Sequence, residues 1–470
     1  MILAIVLCLA LQFITFYLFL NETKKKQSLY AAILLVLNIN ILMQMTIPLI
    51  MGPFFSFSIE KKFNISLLHM FEVVVLQIIY IAIFLTTFLY KKKNSKSGLP
   101  TIRSNIKNTV NLNSFDYRFF VFIIIGVYLF ATSLSLAGTV QTVAEIAGEV
   151  QKDNSFLDLV TIYLRTMFEW TALVTAILFL FTSKGSKLIR IIVIIFCVGV
   201  VIRQLALGLR GGVFIIAVLV MFVSYVKTNK INFRFIIPLL IVLIPVFSFL
   251  GGSFRDSITR GFLVEAGMNE RLEIIASNMF SSDKTVSKYE ETFSESVYSR
   301  LEATRNSVSL IETFNKGEGV GLKPLISSVT ALVPQQITGV KNYAASSTDN
   351  AYGTAMHVVR EKTYGYTDMG PFLASAHEYW EGGPLYLIIS AFLLGIIWRK
   401  VTKWCVRRGY DTISLIVLLL LLDAHHGEMS ILFPFSLGVR LLYFQILPTL
   451  IIIYSIDFMS NLKTKKVVFK

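Results

Sequence analysis

The chain is poor in charge, in cysteine and in the short motifs of soluble catalysis. Asp, Glu, Lys and Arg make up 16% of its 470 residues, against 55% hydrophobic ones, and its mean hydropathy is +0.67. So apolar a composition excludes an ordinary soluble domain and points to a polytopic membrane protein. Cysteines number three, two in hydrophobic runs and one, Cys405, in a connection expected to be cytoplasmic; none falls in an outer loop, so no disulfide framework is expected there. A Walker motif, Gly-x-Ser-x-Gly and His-Glu-x-x-His are all missing. So is any Asp-x-Asp pair of the kind that holds a metal against a diphosphate.

What is there instead is a series of long hydrophobic runs. Crossing about 30 Å of hydrocarbon takes about 20 apolar residues. Eleven segments qualify or nearly do: 1–20, 29–51, 67–90, 119–137, 159–182, 188–207, 213–226, 235–250, 384–398, 412–422 extended toward 433, and 441–456. The first has no basic residue ahead of it and no small-residue cleavage site, and Lys24-Lys25-Lys26 follows it, so it reads as a first span and not a signal peptide. The expected class is therefore an all-α integral membrane protein. Its regions are an N-terminal membrane part over 1–250 with about eight spans, a large loop over 251–383, and a C-terminal part over 384–470 with about three.

The formal net charge is +15, and its placement says more than its size. Lys and Arg crowd six connections, Lys24–Lys26, Lys91–Arg118, Lys184–Arg190, Lys227–Arg234, Arg399–Arg408 and Lys463–Lys470, which hold 25 of the 44 basic residues. All six fall on one side if the chain crosses at each run. By the positive-inside rule that side is cytoplasmic, with the N-terminus outside and the C-terminus inside. The long loop then lies outside, with 12 basic and 16 acidic residues, a net of −4. The basic excess thus reflects topology and not nucleic-acid binding. A site on that loop has no direct access to cytosolic nucleotide sugars or ATP, and a lipid-linked substrate would reach it through the bilayer. The cytoplasmic loops are short, and no internal repeat of the transporter kind is evident.

The loop is not low-complexity. Segments 264–280 and 285–314 read as helical, with Phe293, Val297 and Leu301 at i, i+4, i+8 and Val308 and Ile311 beyond. The proline-bounded 324–334 reads as a helix on the bilayer surface or against spans, and 342–383 as loop. An outer loop this large usually lines something.

Arg210 stands in Leu207-Gly208-Leu209-Arg210-Gly211-Gly212 at an outer turn, just before a helix whose free N–H groups would face it. An Arg fork beside a helix N-terminus suits a diphosphate. A tight hairpin whose Arg snorkels to headgroups is the plainer explanation. Arg203, two turns earlier, lies inside a span, where a charge is a functional candidate or half of a structural pair. Arg165 and Glu169 share a helical face and read as a local neutral pair, and His69 with Glu72 as a similar, more exposed one. Arg255 and Arg260, and Arg300 and Arg305 at the same spacing, could hold a diphosphate near the outer mouth or be solvated surface charge. His377-Glu378 stands in Ser375–Gly383 just before the ninth run, where either side chain could take a proton from a hydroxyl. Tyr379 and Trp380 beside them could stack on sugar faces or belong to an interfacial belt. His425-His426-Gly427-Glu428 has no evident third ligand, so no metal site is assigned.

Taken in order, these pieces resemble the Wzy-type polysaccharide polymerases, the repeat-unit polymerases of O-antigen and capsule pathways. The pieces are LGLRGG over 207–212, VPQQITGVK over 333–341, and SAHEYWEGGPL over 375–385 running into a glycine-containing span, with a long outer loop before a C-terminal set of spans. One departure is that Gln335 and Gln336 follow Pro334, where that family often carries Arg. The resemblance implies a GT-C-like, metal-independent glycosyltransferase without a cofactor in the inner membrane. Its substrate would be an oligosaccharide on undecaprenyl diphosphate, and a chain-length regulator could be its partner. Arg210, Arg255, Arg203, Arg300 and Arg260 would bind the diphosphate. His377 or Glu378 would be the base, and Tyr379 and Trp380 would hold sugars. An O-antigen ligase, a flippase of lipid-linked glycan and a membrane acyltransferase are the rival readings.

Overall fold

The computed structural model describes residues 2–25, 28–47, 49–50, 67–90, 122–129, 171–181, 187–206, 303–317, 372–408, 412–422 and 446–455, with isolated positions between them. Among the described residues all regular structure is helical. Seven elements position the site: α1 (Ile2–Lys24), α2 (Ser28–Ile41, continuing through a π-helix over Leu42–Thr46), α3 (Leu67–Leu89), α4 (Lys187–Ala206), α5 (Ala303–Asn315), α6 (Ala374–Arg407) and α7 (Thr412–Leu422). Among the described residues four stretches are long and apolar enough to cross a membrane: Ile2–Lys24, Leu29–Thr46, His69–Leu89 and Ala374–Arg407. These helices mark the chain as a membrane protein. An apolar segment in lipid must satisfy its own backbone, and a helix does so without a partner. α1 shows the consequence: Ile2, Leu3, Val6, Phe13 and Tyr17 are exposed along it, an outward apolar face suited to acyl chains.

α1 and α2 form an antiparallel hairpin held by side-chain amides. Gln12 Nε2 donates to Asn38 Oδ1 at 2.8 Å and to the Asn38 carbonyl at 3.0 Å. Asn38 Nδ2 returns bonds to the Gln12 carbonyl at 2.9 Å and to Thr15 Oγ1 at 2.8 Å. Apolar side chains gain little by meeting each other in lipid, so such interhelical hydrogen bonds are a main source of specificity there.

α3 and α6 make the most extensive helix pair and run parallel. Gln77 meets Ser375, Thr87 meets Gly395, and the Arg399 guanidinium lies 5.8 Å from the centre of the Tyr90 ring. Gly395 makes the close crossing possible, because a Cβ there would stand 2.8 Å from Thr87 Cβ and 2.9 Å from the Phe84 carbonyl oxygen. The stacked Phe84 and Phe88 rings extend this contact, and Phe88 reaches Tyr30 near the start of α2 at 5.2 Å.

Those contacts sort the helix ends. The end of α1 with Lys24 and Lys25, the start of α2, the end of α3 and the end of α6 with Arg399, Lys400, Arg407 and Arg408 share one end of the bundle. α5 sits across the other end. Thr304 Oγ1 donates to the Gln44 carbonyl in the π-helix at 3.2 Å, and Ser307 Oγ accepts from the Leu373 N–H ahead of α6 at 2.8 Å. Glu312 meets His69 at the start of α3, at 3.0 Å.

Several expectations from the sequence change here. Residues 374–381 are helical, not loop, and α5 supplies the hydroxyl that accepts from Leu373 at the helix start. The helix of the ninth run extends past the end of the apolar segment at Trp398. Lys and Arg are good helix formers, and α6 runs on to Arg407. His69 pairs with Glu312, not Glu72, because α5 lies over the start of α3. Within the expected helix 285–314, the described part is α5, with Val308 and Ile311 buried as their spacing implied.

Candidate functional site

α6 is broken near its beginning. Gly382 has φ −155° and ψ 22°, and Gly383 has φ 72° and ψ −164°, a region essentially reserved for glycine. Pro384 follows, with no N–H to give the Trp380 carbonyl. Gly-Gly-Pro thus divides α6 into a short first part, 374–381, and a long second part, 384–407. In membrane proteins a non-helical turn within a spanning helix is tolerated where it is buried in protein or lines a cavity.

The end of α5 covers this break. A Cβ on Gly383 would lie 2.9 Å from Phe314 Cζ, and one on Gly319 would lie 2.8 Å from Phe314 Cδ2. The Phe314 ring meets Tyr379 edge-on at 4.9 Å, and the Tyr379 hydroxyl donates to Asn315 Oδ1 at 3.4 Å.

Beneath that cover the short part of α6 carries polar side chains with almost no access to solvent. His377, Glu378 and Glu381 are fully buried or within 1% of it. His377 Nδ1 stands 3.1 Å from Glu381 Oε1, an i,i+4 pair, close enough for an ion pair but out of line for a hydrogen bond. The imidazole stacks on Phe372 at 5.4 Å and meets the Trp380 ring edge-on at 5.7 Å. Glu378 Oε1 accepts the Phe435 N–H. Tyr80 from α3 and Tyr386 from beyond the break stand near both carboxylates, and Ser390 lies beside Glu378 and Tyr80. The first turn of α6 is tied to α3 by the Ser375 N–H donating to Gln77 Oε1 at 3.3 Å.

Several polar atoms of this cluster are buried with no hydrogen-bond partner among the described residues: both His377 nitrogens, Trp380 Nε1 and the Ser375 hydroxyl oxygen. Native proteins pair such atoms almost without exception, since each orphan costs about 1–3 kcal/mol. So many together, at a helix break, are the mark of a place built for something other than stability. Donors and acceptors are mixed, which suits a hydroxyl-bearing ligand better than a bare ion. No grouping of three His, Cys, Asp or Glu side chains able to hold a metal occurs among the described residues.

The site residues expected from the sequence divide unevenly. His377 and Glu378 stand together at the core of the cluster. Tyr379 is half-buried, whereas Trp380 is buried at 1% exposure and offers no free face. Arg203 lies on α4, with its side chain outside the described set, and Arg210, Arg255, Arg260 and Arg300 lie outside the described residues. So do Arg165, Glu169, the 333–341 element and the His425–Glu428 cluster. The three cysteines form no disulfide. Sequence reasoning missed Glu381, Tyr80, Tyr386 and Gln77. His377-x-x-x-Glu381 followed by Gly-Gly-Pro was a usable signal for the first; the partners on α3 had none. Comparison with protein-family models, with curated proteins and with solved structures finds no match for this chain.

Proposed function

We propose that the chain is a polysaccharide polymerase of the Wzy type. It would be an eleven-span, GT-C-like enzyme of the bacterial inner membrane that joins oligosaccharide repeat units carried on undecaprenyl diphosphate. The observation that carries the reading is the buried His377–Glu378–Glu381 cluster at the break in α6, beneath α5 and at the bundle end opposite the basic helix termini. By the positive-inside rule the basic end is cytoplasmic, so the cluster faces the extracytoplasmic side, where lipid-linked glycans are displayed.

In this reading His377 Nε2 takes the proton from a hydroxyl on the distal sugar of a new lipid-linked unit. That oxygen bonds to the anomeric carbon at the reducing end of the growing chain. The bond from that carbon to the diphosphate oxygen breaks, and undecaprenyl diphosphate leaves with the electron pair. A single displacement of this kind inverts the anomeric centre. Arg210, Arg255 and the other basic residues of the outer loop stabilise the charge that develops on the leaving group. Tyr379, half-buried beside Asn315, is placed to meet a sugar.

The break in α6 also favours a second reading, a flippase of lipid-linked glycan, because transporters bind cargo at interrupted helices. Deleting the gene and complementing with wild type or His377→Gln separates the two. Collapse of the glycan ladder to single repeat units outside the membrane, restored by wild type and not by a normally expressed His377→Gln, is expected. Units trapped inside would favour the flippase, and unattached long chains a ligase. A ladder that persists on deletion would sink the polymerase.

A further inference from the structure

The His377–Glu381 contact has a direction. The two side chains sit one turn apart on the short part of α6, with the carboxylate 3.1 Å from Nδ1 and not from Nε2. Phe372 stacks on the imidazole and Trp380 closes its edge, so the ring has little room to exchange its nitrogens. Nε2 is buried and has no hydrogen-bond partner among the described residues. A negative carboxylate 3.1 Å from one imidazole nitrogen, even out of line for a hydrogen bond, favours by charge attraction the tautomer with hydrogen on that nitrogen and leaves the other as acceptor. Glu378, the adjacent carboxylate, is already engaged by the Phe435 N–H.

We propose that Glu381 is a positioning residue for the base. It holds His377 as the Nδ1–H tautomer, so that Nε2 accepts the hydroxyl proton, and the Gly-Gly-Pro break keeps this dyad rigid by ending the helix just beyond Glu381. The proposal deepens the polymerase reading and rests on it for the identity of the hydroxyl. Its geometry is independent of that reading. Glu381 does not touch the reacting atoms; it acts through His377.

The decisive test uses the full-length chain in lipid nanodiscs with 15N-labelled imidazoles. The chain has five histidines, and the His377 resonances are identified by their loss in His377→Gln. Wild type should show the proton on Nδ1 and an unprotonated Nε2. Glu381→Gln should mix the two tautomers, and Glu381→Asp should largely keep the wild-type one. A wild-type His377 with its proton on Nε2 overturns the proposal, even if no Glu381 variant folds. A spectrum unmoved by Glu381→Gln overturns it too.

The second readout is chain extension in membranes, using lipid-linked single repeat units isolated from the deletion strain. Glu381→Gln should lower kcat by about 10²-fold, the lower range of what a positioned base supplies. KM for the lipid-linked unit should stay within about twofold, since the carboxylate does not contact it. Glu381→Asp should recover a large part of the rate. A rise in KM at constant kcat would overturn the assignment. Failure of the wild type to extend chains, with the tautomer pattern as expected, would overturn the polymerase reading and leave the dyad in place for another hydroxyl or proton transfer.

Discussion

Gly383→Ala tests the break in α6 most directly. Two independent costs meet at this position. The backbone has φ 72° and ψ −164°, where a side chain costs about 1–3 kcal/mol. The added Cβ would also stand 2.9 Å from Phe314 Cζ, and that ring is held on another side by Gly319 and by Tyr379. Forcing an extra methyl into such a contact costs about 1–3 kcal/mol. The expected loss is therefore about 2–6 kcal/mol, read by titrating the purified protein in mixed micelles with a denaturing detergent. Gly317→Ala is the control. Gly317 has φ 83° but nothing within 4 Å of its would-be Cβ, so it should show only a backbone cost of about 1–2 kcal/mol. A cycle with Phe314→Leu isolates the clash. The double variant should be less destabilised than the sum of the singles by about 1–2 kcal/mol. Additivity to within about 0.5 kcal/mol would refute the claim that Phe314 seals the break.

Other consequences follow from contacts of the same kind. Gly395→Leu should separate α3 from α6, because one of the atoms it meets is the Phe84 backbone oxygen, which cannot turn aside; a loss of at least about 1–3 kcal/mol is expected in the same titration, more than for Gly395→Ala. Asn38→Leu should loosen the α1–α2 hairpin by about 1–2 kcal/mol, since it strips Gln12 and Thr15 of their partner at once. Ser307→Ala should cost about 1 kcal/mol and speed amide exchange at Leu373, with little change in the middle of α6. His69 and Glu312, with side chains 33% and 30% exposed, should couple by less than about 1 kcal/mol in a double-mutant cycle, with the coupling fading as salt is added.

How legible the fold was depended on the kind of signal each element carries. α1, α3 and α4 lie within a few residues of the runs read from hydropathy, because in lipid the length of an apolar run and the need to satisfy its backbone suffice to make a helix. α5 was legible through the spacing of Val308 and Ile311, which are buried where that spacing put them. α6 was read too short at both ends. Hydropathy sees the 384–398 run, but the turns before it contain His, Glu and Trp and pack under α5, whose Ser307 accepts from Leu373 at the helix start.

The candidate site divides along the same line. That His377 and Glu378 stand at a sensitive place, and that Gly-Gly-Pro must interrupt a helix there, lay in the order of the residues. Local backbone chemistry decides such things, and it is written in adjacent positions. That Glu381 faces Nδ1, that Tyr80 arrives from α3, and that Phe314 closes the break could come only from the packing of α3, α5 and α6. Sequence alone determined the class of the molecule and the crowding of Lys and Arg into six connections. The tertiary structure decided that four helix termini flanked by those basic residues gather at one end of the bundle and that α5 closes the other, because the distance between residues far apart in the chain is a property of side-chain packing and not of hydrophobic length.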